Sequence, residues 1–405
     1  MSADRLADAL TQHRMEERER ALGAVLMRPL MTASDPDFAV VRRHAEDLRD
    51  WLRRETGWVL QVERDCARLY KRPADLEDST RGASGFDRRR YIVLCLVCAV
   101  LERADPQITL KTVGERLLDF AADPELVARG FSFTLEQMHE RRELVHVCRY
   151  LLRVGVLHRV AGEEEGYLQH AGDALYDVQR RVLAALLACT RGPSTFPVGA
   201  EPASLTDRLA AVTEEYVPDS PEGRRTAVRH RLARRLLDDP VVYFDELSGE
   251  EHDYLANQRG AMAARLRAES GLKPELRAEG VALVDPDGEL TDAALPAEGT
   301  DAHATLLVAE FLAEQIRAEP GRRIPDSEIA AFLRRAADQY GRYWRKAARE
   351  PGAETELAEE ALARLAALRL VRRSQGSVQA RPALARFAVG QPQIHAAQQT
   401  GLPLA

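Results

Sequence analysis

A mainly α-helical fold with small β-hairpins (α+β) is predicted by one order of elements that occurs twice in this chain. In its first occurrence a helix from about Leu135 to Arg153 meets Gly155-Val156-Leu157-His158-Arg159-Val160, a Gly/Glu turn from Gly162 to Gly166, and Tyr167-Leu168-Gln169-His170. In its second, a leucine-rich helix from about Thr355 to Leu368 runs into Leu370-Val371-Arg372-Arg373-Ser374, a Gln375-Gly376-Ser377 turn, and Val378-Gln379-Ala380-Arg381-Pro382. Short apolar runs on either side of a glycine-bearing turn specify a hairpin. Helices followed by such a hairpin give the winged-helix order, so the sequence predicts tandem winged-helix domains. Expected boundaries are an N-terminal helical extension at 1–86, a first winged-helix domain at 87–190, a linker and small mixed α/β middle segment at 191–300, a second winged-helix domain at 301–395, and a tail at 396–405.

The elements follow from local signals. Residues Ala3 to Met31 read as one amphipathic helix carrying Leu6, Leu10, Leu22, Val25 and Leu26 and stopped by Pro29. A second helix, Phe38 to Thr56, precedes Gly57 and a strand-like Trp58 to Val62. Asp87 to Ala104 is the most apolar helix and is expected to be buried on most of its surface. Thr109 caps Leu110 to Ala121, and Thr134 caps the helix bearing Leu144, Val145, Cys148, Leu151 and Leu152. Leu175 to Ala188 reads as a helix and Thr190 to Ser204 as the linker. The middle segment holds a basic helix at Arg224–Leu237, a β-type run at Val241–Phe244, a helix at Gly249–Glu269 and alternating residues at Pro274–Val284 before Asp285-Pro286-Asp287-Gly288, in all a degenerate third wing. His303 to Gln315 opens the final domain, and Ser327 is a cap for Glu328 to Ala337.

At 405 residues the chain exceeds one ordinary core, and 45% apolar residues support globular packing. No run reaches the roughly 18 uncharged apolar residues a membrane helix requires, and the N-terminus lacks a signal-peptide core, which predicts a cytoplasmic protein. Cys66, Cys95, Cys98, Cys148 and Cys189 are scattered through apolar helices, which fits a reducing compartment. Cys95-x-x-Cys98 has no second ligand pair nearby, so both are expected in the core.

The net charge of −7 argues against indiscriminate coating of nucleic acid, but its distribution is uneven. From Ala361 to Ala405 there are six arginines and no acidic residue, with Arg342, Arg345, Lys346 and Arg349 just upstream. Such a patch neutralises phosphates locally. The candidate DNA-backbone contacts are Arg345, Lys346, Arg369, Arg372, Arg373 and Arg381. At the first wing, three glutamates in the Gly162–Gly166 turn would repel phosphate, so that domain is assigned to protein partners.

Catalytic patterns are missing. The dipeptide Gly-Lys, needed by a phosphate-cradling loop, does not occur. The residues two positions before Lys71, Lys111, Lys273 and Lys346 are Leu69, Thr109, Gly271 and Trp344, none of them a metal ligand for a restriction-type nuclease. Neither H-E-x-x-H nor G-x-S-x-G is present, and His139-Glu140 with His146 does not place two imidazoles on one helical face. The Asp285–Asp292 segment reads as a β-turn before a cation site, and His303 as a packed or capping residue. No catalytic, metal or cofactor residue is therefore assigned, and the protein is expected not to be an enzyme.

Several segments resemble a bacterial family of SMC-complex accessory subunits: Arg88 to Leu117, Leu237 to Leu247 (LDDPVVYFDEL), Gln258-Arg259-Gly260, Ala278 to Asp292 and Gly299 to Leu312. The resemblance is to the KITE subunit, the tandem winged-helix element that clasps a kleisin, of Wadjet-type antiplasmid defence systems, similar in role to MukE. It implies a kleisin partner, an SMC ATPase reached through the kleisin, a toprim-type nuclease in the same system, a homodimer, and double-stranded DNA held by its backbone during loop extrusion. No residue role is carried over by it. The alternative is a winged-helix transcriptional regulator acting alone, for which Glu356, Glu359 and Glu360 on the Thr355–Leu368 helix are poorly suited. A hydrolase is the third reading and has no motif behind it.

Overall fold

Helices and short strands alternate along the chain in a computed structural model that describes residues 3–76, 78, 80–188, 192, 195–196 and 204–387. In chain order the elements are α1 (Ala3–Met27), β1 (Leu30–Thr32), α2 (Phe38–Arg43), α3 (Ala45–Thr56), β2 (Val59–Val62) and β3 (Cys66–Tyr70), then α4 (Arg88–Glu102), β4 (Gln107–Thr109), α5 (Leu110–Ala121), α6 (Pro124–Ala128), α7 (Met138–Arg153), β5 (Leu157–Gly162), α8 (Glu164–Leu168) and β6 (Ala174–Val178). There follow α9 (Arg180–Leu186), α10 (Leu205–Thr213), α11 (Pro221–Asp238), β7 (Val242–Tyr243), α12 (Gly249–Ser270), β8 (Lys273–Leu276) and β9 (Gly280–Val284). The last series is α13 (Thr300–Ala318), β10 (Arg323–Pro325), α14 (Asp326–Tyr340), α15 (Ala353–Ala367), β11 (Val371–Ser374) and β12 (Ser377–Ala380). Cys189, most of the expected linker at Thr190–Ser204, and the 396–405 tail lie outside the described residues.

The strands form three-stranded antiparallel sheets in the orders β1-β3-β2, β4-β6-β5, β7-β9-β8 and β10-β12-β11. The rule is the same in each. A short strand leaves a helix, one or more helices follow, and the chain returns as a hairpin whose second strand pairs with that first strand. A lone hairpin leaves two open edges, and the short leading strand closes one of them. The sheet β1-β3-β2 lies in 1–86, where only helices and one strand-like run were expected. Its added strands, of three and five residues, are too short to announce themselves by alternation.

Two compact units divide the chain: 1–235 with 253–272, and 236–252 with 273–405. In the first, α4, α5 and α7 pack aliphatic stripes together, with Val93, Val97, Val100, Val113, Leu117, Leu144 and Leu151 fully buried beside Tyr176. The α4 helix is not buried on most of its surface as expected. Its buried positions 93, 97, 100 and 101 form one stripe, while Tyr91 and Cys95 are exposed. In the second unit α13, α14 and α15 close over Val308, Leu312, Ile329, Leu333, Leu362 and Leu365.

Two expected caps differ. Thr109 accepts from the Thr112 amide at 3.2 Å as predicted, whereas Thr134 instead binds the buried Glu140 carboxylate, its hydroxyl donating at 2.9 Å, and α7 starts after Gln137. The α14 helix starts at Asp326 after Pro325, without a side-chain cap from Ser327.

The first hairpin is corrected in the same way. Its return strand is β6, not Tyr167–His170, and the expected helix from Leu175 shortens to α9. The register shifts between Arg159 and Ala161. Gly162 turns the chain at φ +71, and a Cβ there would meet the Asp173 carbonyl oxygen at 1.9 Å. Nor are the three turn glutamates a repelling tip. Glu164 is 2% exposed, accepts from the Tyr176 hydroxyl at 2.8 Å and pairs with Arg159 at 2.5 Å, and Glu165 pairs with Arg149.

Burial alone would raise the Glu164 carboxyl, but Tyr176 and Arg159 outweigh it and hold it below its ordinary value. Its stabilising contribution is therefore present above the ordinary carboxylate range and lost as pH falls through the lowered value. Glu164→Gln is expected to destabilise the protein by about 1–3 kcal/mol in urea unfolding at neutral pH. The gap to the wild type should narrow on acidification; a gap independent of pH contradicts the assignment.

Candidate nucleic-acid interface

The six basic residues singled out in the sequence lie in the second unit, and the structure does not place them on one open face. The β11-β12 hairpin is built by Arg372 opposite Gln379 and Arg373 opposite Val378, around a turn whose Gly376 has φ +66. Val371 and Val378 are buried, while Arg372 and Arg373 are exposed.

The hairpin arginines meet carboxylates supplied from far away in sequence. Arg381 is 6% exposed; its guanidinium carbon lies 3.3 Å from the Tyr243 ring centroid, with Nη1 2.7 Å from Glu246 and Nη2 3.4 Å from Asp245. Burial holds its guanidinium below the ordinary value, against the opposing pull of Glu246. Arg372 lies 3.1 Å from Glu246 and 3.6 Å from Asp245. Arg369 pairs with Asp239 at 3.2 Å and Glu246 at 3.7 Å, and its carbonyl accepts from the Tyr243 hydroxyl at 2.9 Å. It holds φ +55, the left-handed conformation that ends α15. The phenol of Tyr243 is pushed up to about 12, chiefly by burial. Arg369, Arg372 and Arg381 are thus brought together around Asp239, Tyr243, Asp245 and Glu246.

The remaining three sit apart from that cluster. Arg373 grips Glu359 through both terminal nitrogens at 2.5 and 2.6 Å, with Asp326 at 3.7 Å. Arg345 holds Asp301 at 2.5 Å. Lys346 is exposed and makes no ion pair among the described residues. The run without acidic residues after Ala361 is therefore compensated in space, with five of its six arginines facing carboxylates drawn from positions 239 to 359. Arg381 is a structural cation; Arg345, Lys346, Arg372 and Arg373 retain an outer surface.

Other candidates resolve into structural roles. Asp285 accepts from the amides of Asp287 at 3.0 Å and Leu290 at 2.6 Å, and Gly288 has φ +75, as a turn requires. His303 packs against Tyr340, and its Nδ1 accepts from the Trp344 indole at 3.0 Å. Among the described residues no cluster of three or more His, Cys, Asp or Glu could hold a metal ion, and no helix is long and apolar enough to cross a membrane. Cys95 is exposed and Cys98 half-buried, so the expectation that both lie in the core is corrected for Cys95: it falls on the outer side of the α4 stripe. The sequence placed Glu140 beside His139 and Glu164 in a charged turn, but nothing in a glutamate's spacing reveals its burial or its partner.

A family model described as "Protein of unknown function (DUF2398)" matches residues 22–390, a span that includes all four sheets. Neither the curated proteins nor the solved structures contain a significant match.

The burial difference gives a direct comparison. Arg381→Ala, which strips a buried cation from Glu246 and Tyr243, is expected to cost about 1–3 kcal/mol in urea unfolding. Arg372→Ala, an exposed pair, should cost below about 1 kcal/mol. Equal costs would contradict the separation.

Proposed function

The chain belongs to the DUF2398 family, and we propose that it is the KITE subunit of a Wadjet-type SMC complex, a tandem winged-helix adaptor that binds a kleisin and helps hold DNA while a separate nuclease cuts the plasmid. The observation that carries this reading is the repeated element order. Helix, short strand, helices and hairpin, with the leading strand paired to the last, recurs through the chain with the strand order 1-3-2 each time, which is the order expected of a winged helix. Repetition of a docking fold suits a bracket with several partners.

Further support comes from α1. Its C-terminal part buries Leu22, Val25 and Leu26, whereas Leu10 and Met15 are 55% and 44% exposed on the part before it. An isolated helix of about 12–15 residues is marginal in water. A partner chain, either the kleisin or a second copy in a homodimer, would stabilise it. The segments that resemble the KITE family include Leu237–Leu247, which contributes Asp239, Tyr243, Asp245 and Glu246 to the hairpin cluster.

In this reading DNA is held by its backbone through Arg345, Lys346, Arg372 and Arg373. Exposed ion pairs contribute little in water, so their guanidinium groups exchange carboxylate for phosphate at small cost. Such contacts give position and salt sensitivity without sequence choice. The SMC ATPase, reached through the kleisin, supplies the energy, and a toprim-type nuclease supplies cleavage.

The test is co-expression with the SMC ATPase and the kleisin of a Wadjet-type system. The expected outcome is a stoichiometric complex in which Arg372→Glu with Arg373→Glu reduces DNA retention and plasmid clearance and leaves kleisin co-purification intact. Arg381 is left unchanged because its loss would unfold the hairpin. Site-specific operator binding by the isolated chain at physiological salt, with no complex formed, would replace the adaptor by the regulator.

A further inference from the structure

The surface between α14 and α15 carries a groove of about 1000 Å³. Its floor is small and apolar: Ala330, Ala331, Ala358 and Leu362. Its rim is acidic, with Asp326, Glu354, Glu356, Glu359 and Glu360 against one cation, Arg334. Arg334 is already paired with Glu354, and Glu359 with Arg373. Glu356 and Glu360 are exposed, make no ion pair among the described residues, and stand four residues apart on α15, where like charges repel, with the more distant Arg345 guanidinium offsetting part of that charge.

Shape and charge together choose the occupant. Alanines on both walls let a rod of backbone approach closely, and a helix of about 15 residues, roughly 22 Å long, matches the length of α14 and α15. An acidic rim rejects a phosphate backbone and attracts cations. We propose that this groove docks a basic amphipathic helical segment of a partner protein, its apolar face on the alanine floor and its arginines or lysines against Glu356 and Glu360. The Glu360 carboxyl is raised above its ordinary value by burial, then by Asp301, a repulsion that an incoming cation relieves. The α15 helix thereby serves as a protein-docking element at the position where a DNA reader would present its recognition helix. This rests on the adaptor reading for its biological setting, but binding is measured on the full chain alone.

The probe is a fluorescein-labelled peptide with two copies of Leu-Arg-Arg-Ala-Leu-Arg-Ala, with a second peptide in which every Arg is Glu. Fluorescence anisotropy is expected to show saturable binding of the cationic peptide only. Glu356→Arg with Glu360→Arg should weaken it by about tenfold or more, and the neutral pair Glu356→Gln with Glu360→Gln should fall between. Circular dichroism of both variants checks folding, and the neutral pair carries the test if the reversed pair misfolds. Absence of cationic binding, affinity unchanged in the variants, or equal binding of the anionic peptide would each overturn the proposal. If kleisin co-purification persists while the peptide fails, the groove assignment falls and the adaptor reading stands.

Discussion

The C-terminal hairpin depends on a charge contact over a long sequence distance. Arg369, Arg372 and Arg381 come from the end of α15 and the strands beyond it, and their carboxylates come from residues 239 to 246, more than a hundred positions earlier. A buried guanidinium is tolerable only when it is paired and its donors are satisfied. Arg381 meets that condition through Glu246, Asp245 and the face of Tyr243, and Tyr243 in turn binds the Arg369 carbonyl. The left-handed turn at Arg369 aims β11 back along the core. Everything the hairpin offers to a partner follows from which arginines this contact consumes and which it leaves outside.

Much of the architecture was legible in local pattern. The helices α5, α7, α13 and α15 follow apolar periodicity, Thr109 caps where predicted, and the Gln375-Gly376-Ser377 turn closes β11 on β12 with Gly376 at φ +66. Strands of three to five residues, as in β1 and β3, offer too few alternations to separate from loop, so of the first sheet only the Trp58–Val62 run that contains β2 was legible. The first wing failed for a different reason. Tyr167 and Leu168 look strand-like, but Gly162 and the buried Glu164 force a helical turn before the chain returns at Ala174. Tertiary hydrogen bonding overrode local propensity.

The candidate site was legible only in part. A run of arginines without acids is a one-dimensional fact. Whether each arginine faces solvent or a carboxylate is three-dimensional, and no spacing rule ties Arg381 to Glu246. The α15 glutamates show the same limit in reverse: their signs were readable, but the alanine-floored groove they rim needed α14 beside them.

The central claim is that the 237–247 segment and the C-terminal hairpin form one cooperative element. Native-state hydrogen exchange on the amides of Tyr243, Leu370 and Val378 tests it most directly. The three should exchange with one common opening free energy, and Asp245→Ala with Glu246→Ala should lower protection at Leu370 and Val378 together with that at Tyr243. Hairpin protection that is untouched by those substitutions would contradict the account.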